Sequence, residues 1–230
     1  MNELFSGTLA PITDTIGFLC CDVEVATAAF LEWQCDIQIK RGVSLAEVRL
    51  EGEFMSDLKR LLPLTSVETR RYLFVPTRSE WTAFFDNGRE GTDAFPPMSY
   101  LAEKLSCNAV RATYIPEGYD GRYPATIIEI FGPDKTDFLN SVRSVSVAFD
   151  GAKWAFSAQG EVQPFENVQK YADRVIKKRF TGEMLDAYLK HLGIVAFDES
   201  FYCPSGEKAI LVSKAGPIAP AAREFSLVSQ

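Results

Sequence analysis

The chain carries one histidine, His191, so chemistry that rests on paired imidazoles is closed to it. There is no second His four residues away and no H-E-x-x-H to hold a zinc ion. In Tyr188-Leu-Lys-His-Leu-Gly193 this His falls in the last turn of an expected helix, where an imidazole offsets the dipole more readily than it acts as a base. Nucleophiles are equally unframed. No G-x-S-x-G elbow occurs, and Cys203, in Phe201-Tyr-Cys-Pro-Ser-Gly206, has no cationic neighbour in sequence to lower its pKa. Neither a G-x-x-x-x-G-K-S/T loop nor a G-x-G-x-x-G turn is present, so no phosphate cradle is expected. These residues point to a chain with no catalytic motif, no metal site and no cofactor.

Two loops gather the side chains that recognition would use. Asp86-Asn-Gly-Arg-Glu-Gly-Thr-Asp93 sets Asp86, Glu90 and Asp93 beside Arg89, a set suited to a hard cation or to a small molecule gripped by carboxylate and guanidinium. The ligand alternation and closing Glu of an EF-hand are missing, and a solvated strand-to-helix connection is the simpler account. The second loop carries Tyr119, Asp120, Arg122 and Tyr123 between Pro116 and Pro124. Tyr and Arg are enriched where proteins meet partners, so this loop is the expected contact surface, although Tyr between Gly and Pro is also ordinary turn chemistry.

Charge narrows the partner. With 24 Lys and Arg against 31 Asp and Glu, the formal net charge is −7, which repels a phosphate backbone unless the cations are gathered in one patch. The densest basic run, Arg174, Lys177, Lys178 and Arg179, lies at an expected helix end, where cations offset the dipole. Nucleic acid and anionic membranes are therefore excluded as expected partners, and a basic protein surface is favoured. The five cysteines include no C-x-x-C pair, and adjacent Cys20 and Cys21 sit in the apolar stretch Ile16-Gly-Phe-Leu-Cys-Cys21. They read as reduced, buried small hydrophobes in a cytoplasmic protein. The amino terminus, Met1-Asn-Glu-Leu-Phe-Ser, lacks the basic and apolar regions of a signal peptide, and no apolar run approaches the roughly 20 residues of a membrane span.

Periodicity then gives the elements. Val23, Ala26, Phe30, Trp33 and Ile37 are spaced for one face of a helix over 22–38, with Asp22 as N-cap. Strand formers at 71–75 and 81–85 predict a hairpin, with an edge strand at 43–50 before it and a short helix at 56–62 stopped by Pro63. Pro96-Pro97 opens a helix over 97–107, and strands follow at 109–115 and 125–131. From Arg143 to Phe156 apolar residues alternate on both sides of Asp150-Gly151, which predicts a hairpin with that pair as its two-residue turn. Phe165, Val168, Tyr171, Ala172, Val175 and Ile176 predict a helix over 164–179, and Thr181 caps another over 181–192. Ala209 to Val212 reads as a last strand.

The expected fold is thus α+β: a mixed or mostly antiparallel sheet with hairpins at 71–85 and 143–156, packed by helices. Residues 1–214 are expected to form a single domain, and 215–230, with Pro217 and Pro220, a mobile tail. A compact, acidic α+β chain with many aromatics and no catalytic signature is similar in kind to small bacterial immunity proteins, which neutralise toxins. Binding to another protein is therefore the expected function. The alternative is an enzyme or sensor for a small molecule built on Asp86, Arg89 and Glu90.

Overall fold

A computed structural model of the chain describes residues 7, 9–118 and 121–227. The strands are β1 (Thr15–Leu19), β2 (Ser44–Arg49), β3 (Leu64–Thr65), β4 (Arg71–Pro76), β5 (Thr82–Asp86), β6 (Ala109–Ile115), β7 (Ala125–Phe131), β8 (Ser141–Phe149), β9 (Trp154–Gly160), β10 (Ile210–Ala215) and β11 (Glu224–Phe225). The α-helices are α1 (Val23–Gln38), α2 (Phe54–Lys59), α3 (Phe95–Leu105) and α4 (Gly182–His191). Nine strands form one antiparallel sheet in the order β2-β10-β4-β5-β1-β6-β7-β8-β9, while β11 pairs with β3 apart from it. The fold is α+β, and the hairpins expected at 71–85 and 143–156 are both in place.

Alternation along the strands builds two cores, one on each face. Phe74, Phe84, Ile210 and Val212 point to the face covered by α1 and α3, where Phe30 of α1 meets Tyr72, Phe74 and Phe84 edge-on or tilted. Leu73, Val75, Ala83, Phe85 and Leu211 point to the other face, under α2, α4 and the irregular chain that joins them to the sheet. Each fully buried side chain of this kind stabilises by roughly 1.5–3 kcal/mol, so both layers are firmly held. Gly17 of β1 allows α3 to lie close: a Cβ there would sit 2.8 Å from the Met98 sulfur.

The helices cover only part of the first face. The rows run across the sheet as Gly17, Arg111, Glu129, Ser144 and Gln159, and as Thr15, Thr113, Ile127, Ser146 and Ser157. Over β8 and β9 this face carries small and polar residues that are half-buried to exposed. The reverse face of the same strands places Val145 and Val147 in the core. Half of the sheet is therefore sandwiched and the other half is covered on one side only.

Three local expectations need correction. Residues 164–179 do not form an α-helix; short 3₁₀ turns at Val168–Ala172 and Ile176–Lys178 stand there instead. The apolar spacing is satisfied one side chain at a time, with Phe165 on Tyr188 and Tyr171 on Phe156. The backbone is broken by Asp173, at ψ 140°, whose carboxylate accepts the N–H of Val175. Glu166 is meanwhile held by Arg143. In the 143–156 hairpin the turn sits one residue later than Asp150-Gly151. Phe149 pairs with Trp154, the N–H of Asp150 bonds the carbonyl of Lys153, and Gly151 (φ +94°) and Ala152 occupy the tip. Positive φ at the first central residue alone is the type II′ pattern rather than I′. The third correction concerns Cys20 and Cys21, which are half-buried rather than enclosed.

The described part of the C-terminal segment is tied at several points. Its Ala219 N–H bonds the Glu68 carboxylate, the Arg223 carbonyl accepts from Ser66, and Phe225 lies under the Arg89 guanidinium at 4.0 Å. Among the described residues no helix is long and apolar enough to cross a membrane.

Candidate functional site

The loop from Asp86 to Asp93 does not gather its charges at one point. Asp86 is buried, and its two carboxylate oxygens accept the N–H groups of Gly88 (2.8 Å) and Asp93 (3.0 Å). The Thr92 hydroxyl accepts the Asp86 N–H and donates to the carbonyl of Ile12. Burial pushes the Asp86 carboxyl up to about 7, partly opposed by those two N–H donors. Arg89 turns away to stack on Phe225, and Glu90 is exposed. The sequence spacing that suggested a convergent ligand set instead closes a turn around one carboxylate.

In the second loop, Tyr119 and Asp120 lie outside the described residues. Arg122 is ion-paired with the buried carboxylate of Asp14, which ties the loop back to the start of β1. Tyr123 is 61% exposed and meets Phe149 edge-on. Its ring also lies over the neighbouring hairpin, since a Cβ on Gly151 would fall 2.8 Å from the Tyr123 hydroxyl. Glu117 at the loop's base pairs with Lys177 (2.8 Å) beside a shallow cleft of about 250 Å³.

A cleft of about 760 Å³ lies between the α2 segment and residues 198–208. Glu51, Glu53, Asp198, Glu199 and Glu207 line it, with Arg78 and Lys208 as countercharges. Both cations are engaged: Lys208 with Glu51, and Arg78 with the carbonyl of Ser200. Its wall is the stacked pair Phe54 and Tyr202, whose ring centroids are 4.4 Å apart. Cys203 opens onto this cleft at φ +48°, but burial pushes its thiol up to about 11, which leaves it a poor nucleophile at neutral pH. His191 ends α4, exposed, with its ring stacked on Phe165.

A second groove, about 480 Å³, lies on the half-covered sheet face. Its floor is the row Glu129, Ser144 and Gln159 from β7, β8 and β9. Phe95, at the start of α3, and the loop joining β7 to β8 form one wall, and Glu161 closes the far side. That loop is held hard from within. Asn140 is fully buried; its amide donates to the carbonyls of Ser99 (2.9 Å) and Gly132 (2.7 Å), and its oxygen accepts the Ser99 hydroxyl at 2.7 Å. The Thr136 hydroxyl accepts the Phe138 N–H (3.2 Å), and the Thr136 N–H bonds the carbonyl of Leu139 (2.8 Å).

So anchored, the loop presents Phe138 at 63% exposure and Leu139 at 53%, with Leu139 at φ +54°. A β-carbon-bearing residue in that region costs about 1–3 kcal/mol, which the surrounding bonds must hold in place. Phe138 leans on Phe95, which packs edge-on against Phe131 at 5.3 Å. Glu129, Asp137 and Glu161 give the groove its charge, and its lining includes no Lys or Arg among the described residues. Among the described residues Glu129 is the one of the three with an ion-pair partner, Arg111 at 2.5 Å. An exposed aromatic on a stiff loop beside unneutralised carboxylates suits a cationic segment that carries an apolar side chain.

Sequence reasoning did not find this groove, because its lining comes from α3, β7, β8, β9 and the loops after β7 and β9. Two local signals were available: Phe138-Leu139 inside an otherwise polar loop, and serines at 144 and 146 alternating with core valines. Comparison with known protein families, with curated proteins and with solved structures finds no match to this chain.

Proposed function

We propose that this chain is a non-enzymatic recognition protein that binds a basic protein partner, and that the groove between Phe138 and Glu161 is where it does so. The observation that carries the reading is Phe138, exposed at the tip of a loop locked by Asn140 and Thr136, next to Asp137 and Glu161. An ordered apolar side chain gains contact area on binding without paying much rotamer entropy, which is the character of interface hot spots. The carboxylates and the net charge of −7 add attraction for a cationic surface and speed its approach. Neutralisation of a toxin, in the manner of a bacterial immunity protein, is the concrete form of this reading.

Paired-bait capture from the native host tests it. Wild-type protein and the double variant Phe138→Ser, Asp137→Lys are immobilised side by side, and retained proteins are identified by mass. The expected result is a basic protein on the wild-type bait only, released by raised salt. The same proteins on both baits, or only salt-insensitive ones, would remove the groove from the account.

A further inference from the structure

Adjacent Cys20 and Cys21 meet Cys107, distant in sequence, at one end of the β1–β6 ladder. Leu19 pairs with Ala109, and the next pair is marked by the Cys20 N–H on the carbonyl of Asn108 at 2.9 Å. Continued one pair beyond that bond, past the end of the ladder proper, the register sets Cys21 opposite Cys107, and both pack against the core under α1 and α3. Hydrogen-bonded and non-hydrogen-bonded pairs alternate along an antiparallel ladder, so Cys21 and Cys107 occupy a position of the second kind. Their N–H groups agree: that of Cys21 bonds Leu19 and that of Cys107 bonds Ala102, neither reaching across. Such pairs bring Cα atoms to about 4.5 Å, inside the roughly 4.4–6.8 Å that a disulfide spans. The other end of the ladder shows how close side chains come there: Thr15 and Thr113, a pair of the same kind, place their hydroxyls 2.8 Å apart.

We propose that Cys21 and Cys107 are a redox-modification site, a reduced pair that closes to a disulfide when the chain meets a low-molecular-weight disulfide oxidant. Both residues are half-buried, so a small oxidant can reach them. The roles divide by their mutual influence. The Cys21 thiol beside it lowers the Cys107 pKa, and the Cys107 sulfur in turn raises that of Cys21. Cys20 is held out of the exchange, its thiol pushed up to about 11 by burial and by Glu80. Cys107 as thiolate attacks one sulfur of the oxidant, breaking its S–S bond and expelling one thiolate. The Cys21 sulfur then attacks the Cys107 sulfur of the mixed disulfide. The second thiol leaves with the Cys21 proton, so two protein thiols are oxidised and one disulfide is reduced to two thiols. The product would join the start of α1 to the end of α3 and close the long segment that carries α1, β2, β4, β5 and α3.

The test uses the full chain equilibrated in buffers of oxidised and reduced glutathione, then alkylated and mapped by peptide mass. A Cys21–Cys107 link is expected in the wild type and in Cys20→Ser, with a rise in Tm on the order of 5–10 °C over the reduced form. Cys21→Ser should lack the link and retain one glutathione on Cys107, a trapped intermediate that a merely structural cysteine would not give. All five thiols alkylated under oxidising buffer, a Cys20–Cys107 link, or glutathione spread over Cys35 and Cys203 would each overturn the assignment.

Discussion

Replacing Arg143 by Met leaves a carboxylate buried without its cation, and the cost can be worked from the surroundings. The Arg143 and Glu166 side chains are 4% and 1% exposed, and the guanidinium meets both carboxylate oxygens, at 2.8 and 2.7 Å. Glu166 also accepts the Gln163 N–H and the Tyr171 hydroxyl, each at 2.8 Å, while Arg143 donates to the Gly160 carbonyl at 3.0 Å. Desolvation alone would raise the Glu166 pKa, but these donors, Arg143 first, hold it below the usual carboxylate range. Removing one member of a buried pair costs about 3–5 kcal/mol, and the two surviving hydrogen bonds favour the lower end. Arg143→Met should therefore lose about 3 kcal/mol at neutral pH, or roughly 6–12 °C in Tm for a chain of this size. In the wild type the depressed pKa contributes stability above the unfolded carboxyl's pKa, and this is lost as pH falls through the folded value. In the variant the Glu166 pKa rises, so its deficit should shrink toward acid pH. Urea denaturation of both proteins across the acid range reads both quantities. A loss below about 1 kcal/mol, the same at every pH, would refute a buried, charged pair.

Further outcomes follow from the same geometry. Gly151→Val should cost roughly 1–3 kcal/mol, because the turn needs φ +94° there and the new Cβ meets the Tyr123 ring; adding Tyr123→Ala should restore only the steric part, as thermal unfolding would show. Asp86, with its folded pKa raised to about 7, contributes stability that is fully present below its unfolded value and lost as pH rises through about 7. Unfolding free energy should therefore carry a declining component across that window, absent from Asp86→Asn, and an unchanged slope in the variant would contradict it. Phe138→Ser, at a side chain 63% exposed, should leave stability within about 0.5 kcal/mol of the parent, which separates any binding defect from misfolding.

The strands were the most legible part of the chain. Val145, Val147, Trp154 and Phe156 alternate over enough residues that only a hairpin satisfies them, and the paired ladder from Arg143 to Gly160 follows. Helix α4 was equally open, since Thr181 accepts the Met184 N–H as a cap should. Residues 164–179 misled because a helical spacing of apolar side chains records only that each is partly buried. Arg143, distant in sequence, holds Glu166, and Asp173 breaks the backbone. The place of β10 between β2 and β4 was not readable from its own residues, because strand order is decided by contacts across the whole chain. The groove escaped for the same reason: Phe95, Glu129, Ser144, Gln159 and Glu161 become neighbours only once α3 lies on the sheet. Cys107 showed no local motif, and its relation to Cys21 is a property of register.

The proposed partner site is the groove formed by the loop after β7 and the rows of β8 and β9. Amide hydrogen exchange on the chain with and without the captured partner tests it most directly. Exchange should slow on binding within residues 132–144 and 157–161, with the cleft at 198–208 unchanged. Protection confined to 198–208 or to the loop around Tyr123, with 132–144 exchanging as in the free chain, would contradict it.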